Sequence, residues 1–434
     1  MTKQDKEGQN GAKINRLRKE INELLDGEEL WWLQRSRVQW LGEGDRNTNF
    51  FHSRASKRRR KNTISSFWNE EGKWCDDKAN IAAMAISYFK DIYTTTLPSR
   101  IEEVTGLIPI KVTSEMNDSL TQVFTIEEIR MALFQMHPTK TPGPNDMSAI
   151  FYQKYWNIVG PDVTNMVLNV LNFNMSMADI NKTNITIVPK TKHPTKMKDF
   201  HPISLSNVAY KLISKVLANR LKAVLPQIIL ENQSAFLSKR LITDNVLVAF
   251  ELMHYLDHKK EGNESFTAIK LDMSKAYDRV KWMFVEKVMR RLGLNDKYIG
   301  WIMKCISIVS YFVLINGEAH GSIVPSRRFR QGDPLSSYLF LLYTKVFSAL
   351  IADASSKHVL NGISICKECP KALTFSLRMI AYYFVGQRAK SVTNLSKSYR
   401  NMKQHQGKKS TLTIPQSSSA ITQLMKQGLI SWKF

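Results

Sequence analysis

Cysteine is scarce, with four residues in a chain of 434. That excludes a disulfide framework and fits a reducing compartment. Cys366 and Cys369 form one C-x-x-C, but no second pair or His-x-His partner follows at finger spacing, so no zinc site is expected there. Long apolar runs are also lacking. The opening "MTKQDKEGQNGAK" has no apolar core, so no secretion signal is expected, which leaves nucleus or cytoplasm. The most apolar segment, residues 335–352, carries Lys345 and small polar residues and is predicted to be a buried helix, not a membrane span. Acids are few: 38 Asp and Glu against 62 Lys and Arg give a net charge of +24. This excess favours a polyanionic partner, nucleic acid before membrane, with a solvated basic surface as the bland alternative. The deficit is extreme after Glu368. No Asp or Glu occurs in the last 66 residues, where an even spread would put nearly six, while eleven Lys and Arg remain. A frameshifted or disordered tail has that composition.

What is present is a globular pattern, 43% hydrophobic and long enough for two or three domains. Residues 13–41 have helical periodicity, followed by "FF" at Phe50 and Phe51 and the basic run Lys57 to Lys61. That run could meet phosphates, act as a nuclear address or simply be solvated. Amphipathic helices are predicted over 80–135, and the prolines of "HPTKTPGPND" (137–146) enforce a loop. "NITIVPK" (184–190) is strand-like, and "HPIS" (201–204) is predicted as a turn opening a long basic helix. "FTAIKLDM" is a strand ending at Asp272, "YFVLING" (311–317) a strand into a turn, and "RQGDPLSSYLF" (330–340) a loop opening a helix. Strands and helices alternate without a doubly wound period, so the fold class is α+β. No internal repeat is present.

The chemistry centres on "KLDMSKAYDRVKW", which places Asp272 at a strand end and Asp278 six residues later. Nucleotidyl transfer uses two Mg²⁺ about 4 Å apart, and Mg²⁺ takes hard oxygen ligands from carboxylates on separate strands. Asp272 suits a first ligand, whereas Asp278 is better placed to cap or brace the helix. A lone pair of acids is a weak signal on its own.

Six stretches in order strengthen it: "QRSRVQWLGEGDRNTNFFH", "TKTPGPNDMSAIFYQKYW", "FHPISLSNVAYKLISKVLANRLK", "NQSAFLSKRLITDN", "IKLDMSKAYDRVKW" and "RQGDPLSSYLF". Together they resemble the reverse transcriptase of plant LINE-type (non-LTR) retrotransposons. The resemblance implies a right-hand polymerase: a helical basic N-terminal extension (1–105), fingers and palm (106–376) and no thumb, then a tail (377–434). It implies an RNA-directed DNA polymerase that uses Mg²⁺, an RNA template, a DNA primer and deoxynucleoside triphosphates, with no membrane. By the same resemblance Asp272 binds the metals, Tyr277 is the steric gate under the incoming sugar, and Gln331 and Gly332 lie against the templating pair. Lys190 and the segment His201 to Ser204 belong near template and triphosphate. Asn232, Gln233 and Arg240 belong to the fingers-to-palm connection.

Several positions depart from the family. Asp146, Lys239 and Arg328 stand where it has glycine, His201 where it has arginine and Ser337 where it has proline. Together these look like drift. The family's "FADD", whose two aspartates complete the metal site, is missing, and "PKALTFSLRMIAYYFVGQ" stands in its place. A nucleotide string for the family-like "FADDSLLFCRA", read one base later, encodes "LRMIAYYFVG", residues 377–386. The same shift turns residues 395–413 into another family-like peptide. The tail is therefore expected to be a translated frameshift starting between Leu373 and Leu377, and to be disordered. Three readings follow: a catalytically defective reverse transcriptase, a residual nucleic-acid-binding protein, or a polymerase that recruits Asp333 or Asp353 instead. A group II intron maturase would share the polymerase core, but the plant-type stretches favour LINE origin.

Overall fold

The computed structural model describes residues 11–36, 48–69, 72–95, 101–229, 233–237, 239–258, 266–272, 277–358, 362–363, 374–377, 380–386 and 411–413. Cys366, Cys369 and Asn232 lie outside these residues, as does most of the tail. The chain begins with two paired helices, α1 (Gly11–Ser36) and α2 (Thr48–Asn62), and a short hairpin, β1 (Phe67–Trp68) with β2 (Trp74–Cys75). Four helices follow: α3 (Lys78–Tyr93), α4 (Ile101–Thr105), α5 (Ser114–Thr121) and α6 (Ile126–Phe134). Local chemistry sets their starts. Asp77 and Thr113 accept a backbone N–H at the first turns of α3 and α5, and Thr125 with Glu128 forms a reciprocal capping box on α6.

After the proline-rich loop come α7 (Ala149–Lys154), α8 (Trp156–Asn172), β3 (Lys182–Pro189), β4 (Phe200–Ser206), α9 (Val208–Ile228) and α10 (Ile242–His258). Next are β5 (Phe266–Asp272), α11 (Trp282–Leu292), α12 (Asp296–Ser307), β6 (Ser310–Ile315), β7 (Glu318–Ile323) and α13 (Ser336–Ser356). The tail contributes β8 (Thr374–Leu377), β9 (Ile380–Gly386) and β10 (Thr411–Thr413), so the boundary expected at 376 falls inside β8. Two described tail segments are thus strands, where a disordered tail was expected. The class is α+β, as the alternation of elements predicts.

Two four-stranded sheets organise the chain. One has the order β4-β3-β6-β7, with β3 and β6 parallel, and the other has the order β10-β5-β9-β8 and is antiparallel. "FTAIKLDM" is therefore an interior strand. The turn predicted for "HPIS" is instead part of β4. Proline suggested a turn, but β4 is an edge strand, where the missing N–H of Pro202 breaks no inner ladder. Its alternate residues Phe200, Pro202, Ser204 and Ser206 are buried.

Helix α9 lies at the centre, with Tyr210, Leu212, Ile213, Val216, Leu217, Leu221 and Leu225 buried. Its Arg220 closes the turn between α5 and α6: the guanidinium sits 3.6 Å over Phe124, pairs with Glu128 at 2.7 Å and donates to the carbonyls of Leu120, Gln122 and Val123. Burial pushes the Glu128 carboxyl up, but the Arg220 and Thr125 hydrogen bonds outweigh it and hold it low.

Among the described residues, α13 is the one helix long and apolar enough to cross a membrane. It is instead packed inside the protein through Leu339, Phe340, Leu342, Tyr343 and Val346. Lys345 is buried with them, and burial, helped by Lys111, lowers its amine to about 8. Below that pH both folded and unfolded chains carry the charge, and the fold bears its full desolvation cost. Between about 8 and the unfolded value of about 10.4 the unfolded chain binds more protons, so stability rises with pH. Lys345→Met should therefore stabilise the protein by about 2 kcal/mol at neutral pH, with the gain fading towards pH ~10.4. Thermal unfolding of both proteins across that range checks it.

Candidate active site

The backbone after Asp272 is joined to the segment that precedes the "RQGDP" loop. Residues Tyr277–Arg279 form one 3-10 turn. The N–H of Phe329 donates to the Tyr277 carbonyl at 2.7 Å, and that of Arg328 to the Val280 carbonyl at 2.8 Å. Lys281 bridges Arg327, and the Trp282 indole donates to the Arg328 carbonyl at 2.7 Å. Residues 277–282 and 327–329 are thus held side by side, 46 to 52 positions apart in sequence.

A buried charge cluster fills this junction. The Arg328 guanidinium lies 4.1 Å over Tyr93 and 5.0 Å from Tyr311, donates to the Ser204 hydroxyl at 3.1 Å and pairs with Asp278 at 3.3 Å. Asp278 therefore braces a buried arginine. It does not cap α11, whose N-cap is Lys281. Burial pushes the Tyr93 hydroxyl well up, so Arg328 faces a neutral ring.

The "RQGDP" loop is pinned from below. Tyr210 donates to Asp333 at 2.5 Å, Ser214 donates to its other oxygen, and the Leu335 N–H donates at 2.9 Å. Arg330 stacks 4.0 Å over Tyr210 and donates to the Cys305 carbonyl at 2.6 Å. Asp333 is buried and committed to these donors. Asp353 pairs with Lys357 at 2.8 Å near the end of α13. Gln331 and Gly332 form the loop's outer tip, Gly332 exposed with φ +94°. Nothing crowds a Cβ there, so the left-handed backbone is what calls for glycine.

The other expected site residues divide between the sheets. Tyr277 is buried, its ring stacked on Phe340 at 5.0 Å and edge-on to Phe329. Lys190 is exposed just beyond β3 and donates to the Lys198 carbonyl at 3.1 Å. His201 is exposed on β4 opposite Val188, so both belong to the sheet without Asp272. Arg240 donates to the carbonyls of Gln233 and Pro226, closing its loop on the end of α9. Sequence reasoning gave no role to Asn207, which receives the Asn145 N–H at 3.1 Å and donates to the Ile180 carbonyl at 3.2 Å. Gly143 lies against Asn207 so closely that a Cβ would meet its backbone nitrogen at 2.3 Å. The glycine and asparagine of "TPGPN" are the signal that such a contact exists.

Magnesium, the ion the resemblance implies, needs several carboxylate oxygens converging near Asp272. In the ladder Asp272 is paired with Ile380 of β9 and Thr411 of β10. Neither isoleucine nor threonine supplies a carboxylate for a Mg²⁺ pair. These residues do not fit the metal site.

Comparison with known proteins places the chain. Residues 188–367 match the family described as "Reverse transcriptase (RNA-dependent DNA polymerase)". An uncharacterized 149 kDa protein of transposon TX1 from Xenopus laevis is 26% identical over 319 residues, 73% of this chain and 24% of that protein. A retrovirus-related Pol polyprotein from the type-2 retrotransposable element R2DM of Drosophila melanogaster is 24% identical over 277 residues, 63% of this chain and 24% of its own length. The chain carries a reverse transcriptase domain of the non-LTR retrotransposon type. An uncharacterized mitochondrial protein of Arabidopsis thaliana is 47% identical over 58 residues, 13% of this chain and 48% of that protein. The chain spans about a quarter of the length of its transposon relatives.

The three positions where the resemblance implies glycine all have left-handed backbone: Asp146 at φ +56°, Lys239 at +64° and Arg328 at +110°. A side chain there costs about 1–2 kcal/mol, less for aspartate. Lys239→Gly should raise stability by about 1 kcal/mol and Asp146→Gly by somewhat less. Arg328→Ala should instead cost about 3–5 kcal/mol, because Asp278 is left buried without its partner. Adding Asp278→Asn should recover part of that loss, as urea unfolding of the single and double variants would measure.

Proposed function

We propose that this protein is the fingers and palm of a retrotransposon reverse transcriptase that holds nucleic acid but does not polymerise it. On this reading residues 106–376 are the polymerase core, 1–105 a basic extension and the tail from 377 a frameshifted segment. The observation that carries it is the register of β5, where Asp272 meets Ile380 and Thr411 and no carboxylate follows Glu368. One carboxylate leaves the triphosphate charge uncompensated as the phosphoryl bond is exchanged.

Binding asks for less, since phosphate contacts need cations and no metal. The net charge of +24 supplies the long-range attraction. Burial lowers the Lys211 amine, with Asp333 pulling it back up and Lys140 adding to the lowering, and burial, Lys222 and Lys140 together lower that of Lys215. Crowded lysines of this kind are relieved by a polyanion. RNA template, DNA primer and deoxynucleoside triphosphates are the ligands this surface would meet.

Primer extension with Mg²⁺ or Mn²⁺ should give no product. Extension that disappears in Asp272→Ala would refute the reading. Restoring the frame after Thr374, so that "FADD" returns, should bring back activity once the downstream region is supplied. Filter binding should show affinity falling steeply with salt, and Lys211→Glu with Lys215→Glu should flatten that slope by about one to two counterions. A salt-independent affinity would reject the binding half of the proposal.

A further inference from the structure

The basic run Lys57 to Lys61 lies in the second half of α2 and is exposed along its whole length. Phe51 before it is buried, and the exposed aromatics that follow it are Trp68 and Trp74. These two face each other across the hairpin of β1 and β2, edge-on, with ring centroids 5.0 Å apart. Their contact stabilises the hairpin, yet Trp68 stays 42% exposed and Trp74 46% exposed. Tryptophan is highly buried on average, so an exposed pair asks for a partner. The core contact of the hairpin is made instead by Phe67, edge-on to Phe200 of β4 at 5.3 Å.

The hairpin is held firmly. Asn316, between β6 and β7, accepts the Ile64 N–H and donates to the Ile64 carbonyl, both at 2.8 Å. The N–H groups of Gly72 and Lys73 close on Asn69 at 3.2 and 2.7 Å. The Trp68 N–H donates to the Thr195 carbonyl at 2.9 Å, which ties the hairpin to the loop "KTKHPTKMK" (190–198). Lys190, Lys192, Lys196 and Lys198 of that loop are exposed. The acid that follows them, Asp199, accepts the N–H groups of Thr195 and Lys196 at 3.2 and 3.0 Å, so its charge is spent on folding the loop.

We propose that this hairpin is a platform for single-stranded nucleic acid, with bases stacked on Trp68 and Trp74 and phosphates held by the α2 run and the 190–198 loop. This rests on the binding half of the proposed function and gives it a substrate class and a place, on residues other than the α9 lysines. Every unpaired base offers a face to an indole, whereas bases in a duplex are already stacked on one another. The site therefore reads strand state and not sequence. Glu70 and Glu71, between the two strands in sequence, and Asp76 after them repel phosphate. That fixes the arrangement, with bases towards the indoles and phosphates towards the run and the loop.

Fluorescence anisotropy of the full chain with labelled oligouridylate, oligothymidylate and a duplex of the same length tests it. An indole reads the face of a base and not its sugar, so the two single strands should bind within a few-fold of each other. Trp68→Leu with Trp74→Leu keeps apolar side chains on the hairpin and should weaken single-strand binding about tenfold or more, with duplex binding little changed. Trp68→Phe with Trp74→Phe keeps stacking faces and should recover most of that loss. Changing all five residues from Lys57 to Lys61 to Gln keeps helix-forming residues in α2 and should weaken both kinds of ligand, with a shallower salt slope. Far-UV circular dichroism verifies that each variant is folded. A leucine variant that binds single strands as the unaltered chain does, or that loses single strands and duplex alike, would overturn this inference and leave the general binding reading standing. No binding to any of the three ligands at low salt would overturn both.

Discussion

The buried pair of Asp278 and Arg328 is the constraint on which the rest of the site depends. Neither charge has access to water, so each is tolerable only while the other, with Ser204 and the rings of Tyr93 and Tyr311, stays in place. Arg328 adopts φ +110° to achieve this, against its own steric preference. Through it, the turn at Tyr277–Arg279, the second half of β4 and the approach to the "RQGDP" loop are drawn to one point. Strain in the backbone and satisfaction of the charge are opposite sides of one local balance.

From that junction the order spreads through α9. Tyr210 and Ser214 hold Asp333, Arg220 closes the turn between α5 and α6, and Asn207 at its start receives the proline-rich loop. A single buried helix thus anchors elements that are more than a hundred residues apart in sequence. This explains why Asp333 serves the fold: its oxygens already accept three hydrogen bonds in a buried place, and a metal would have to break them.

The sheet around β5 separates folding from chemistry. Strand β9, "IAYYFVG", pairs with β5 over its whole length, because aromatic and β-branched residues suit a pleated surface whatever their ancestry. Backbone pairing asks only for such residues. A metal site asks for oxygen ligands at named positions, and at those positions the ladder offers Ile380 and Thr411. A strand needs only suitable residues along its length, whereas metal chemistry needs particular ligands.

Much was legible in order and composition alone. The α+β class, the strand ending at Asp272, the buried helix around Lys345 and the family resemblance all follow from local pattern, because periodicity and short motifs are properties of neighbouring residues. So does the absence of acids after Glu368, which is a matter of counting. "HPIS" was misjudged because proline marks turns and edge strands alike, and only the sheet order distinguishes them. The tertiary structure alone decided that Asp278 binds Arg328, that Asp333 is occupied by Tyr210 and Ser214, and that Asp146, Lys239 and Arg328 all sit at left-handed positions. These facts depend on backbone angles and on partners from 50 to 123 positions away, which no local pattern encodes.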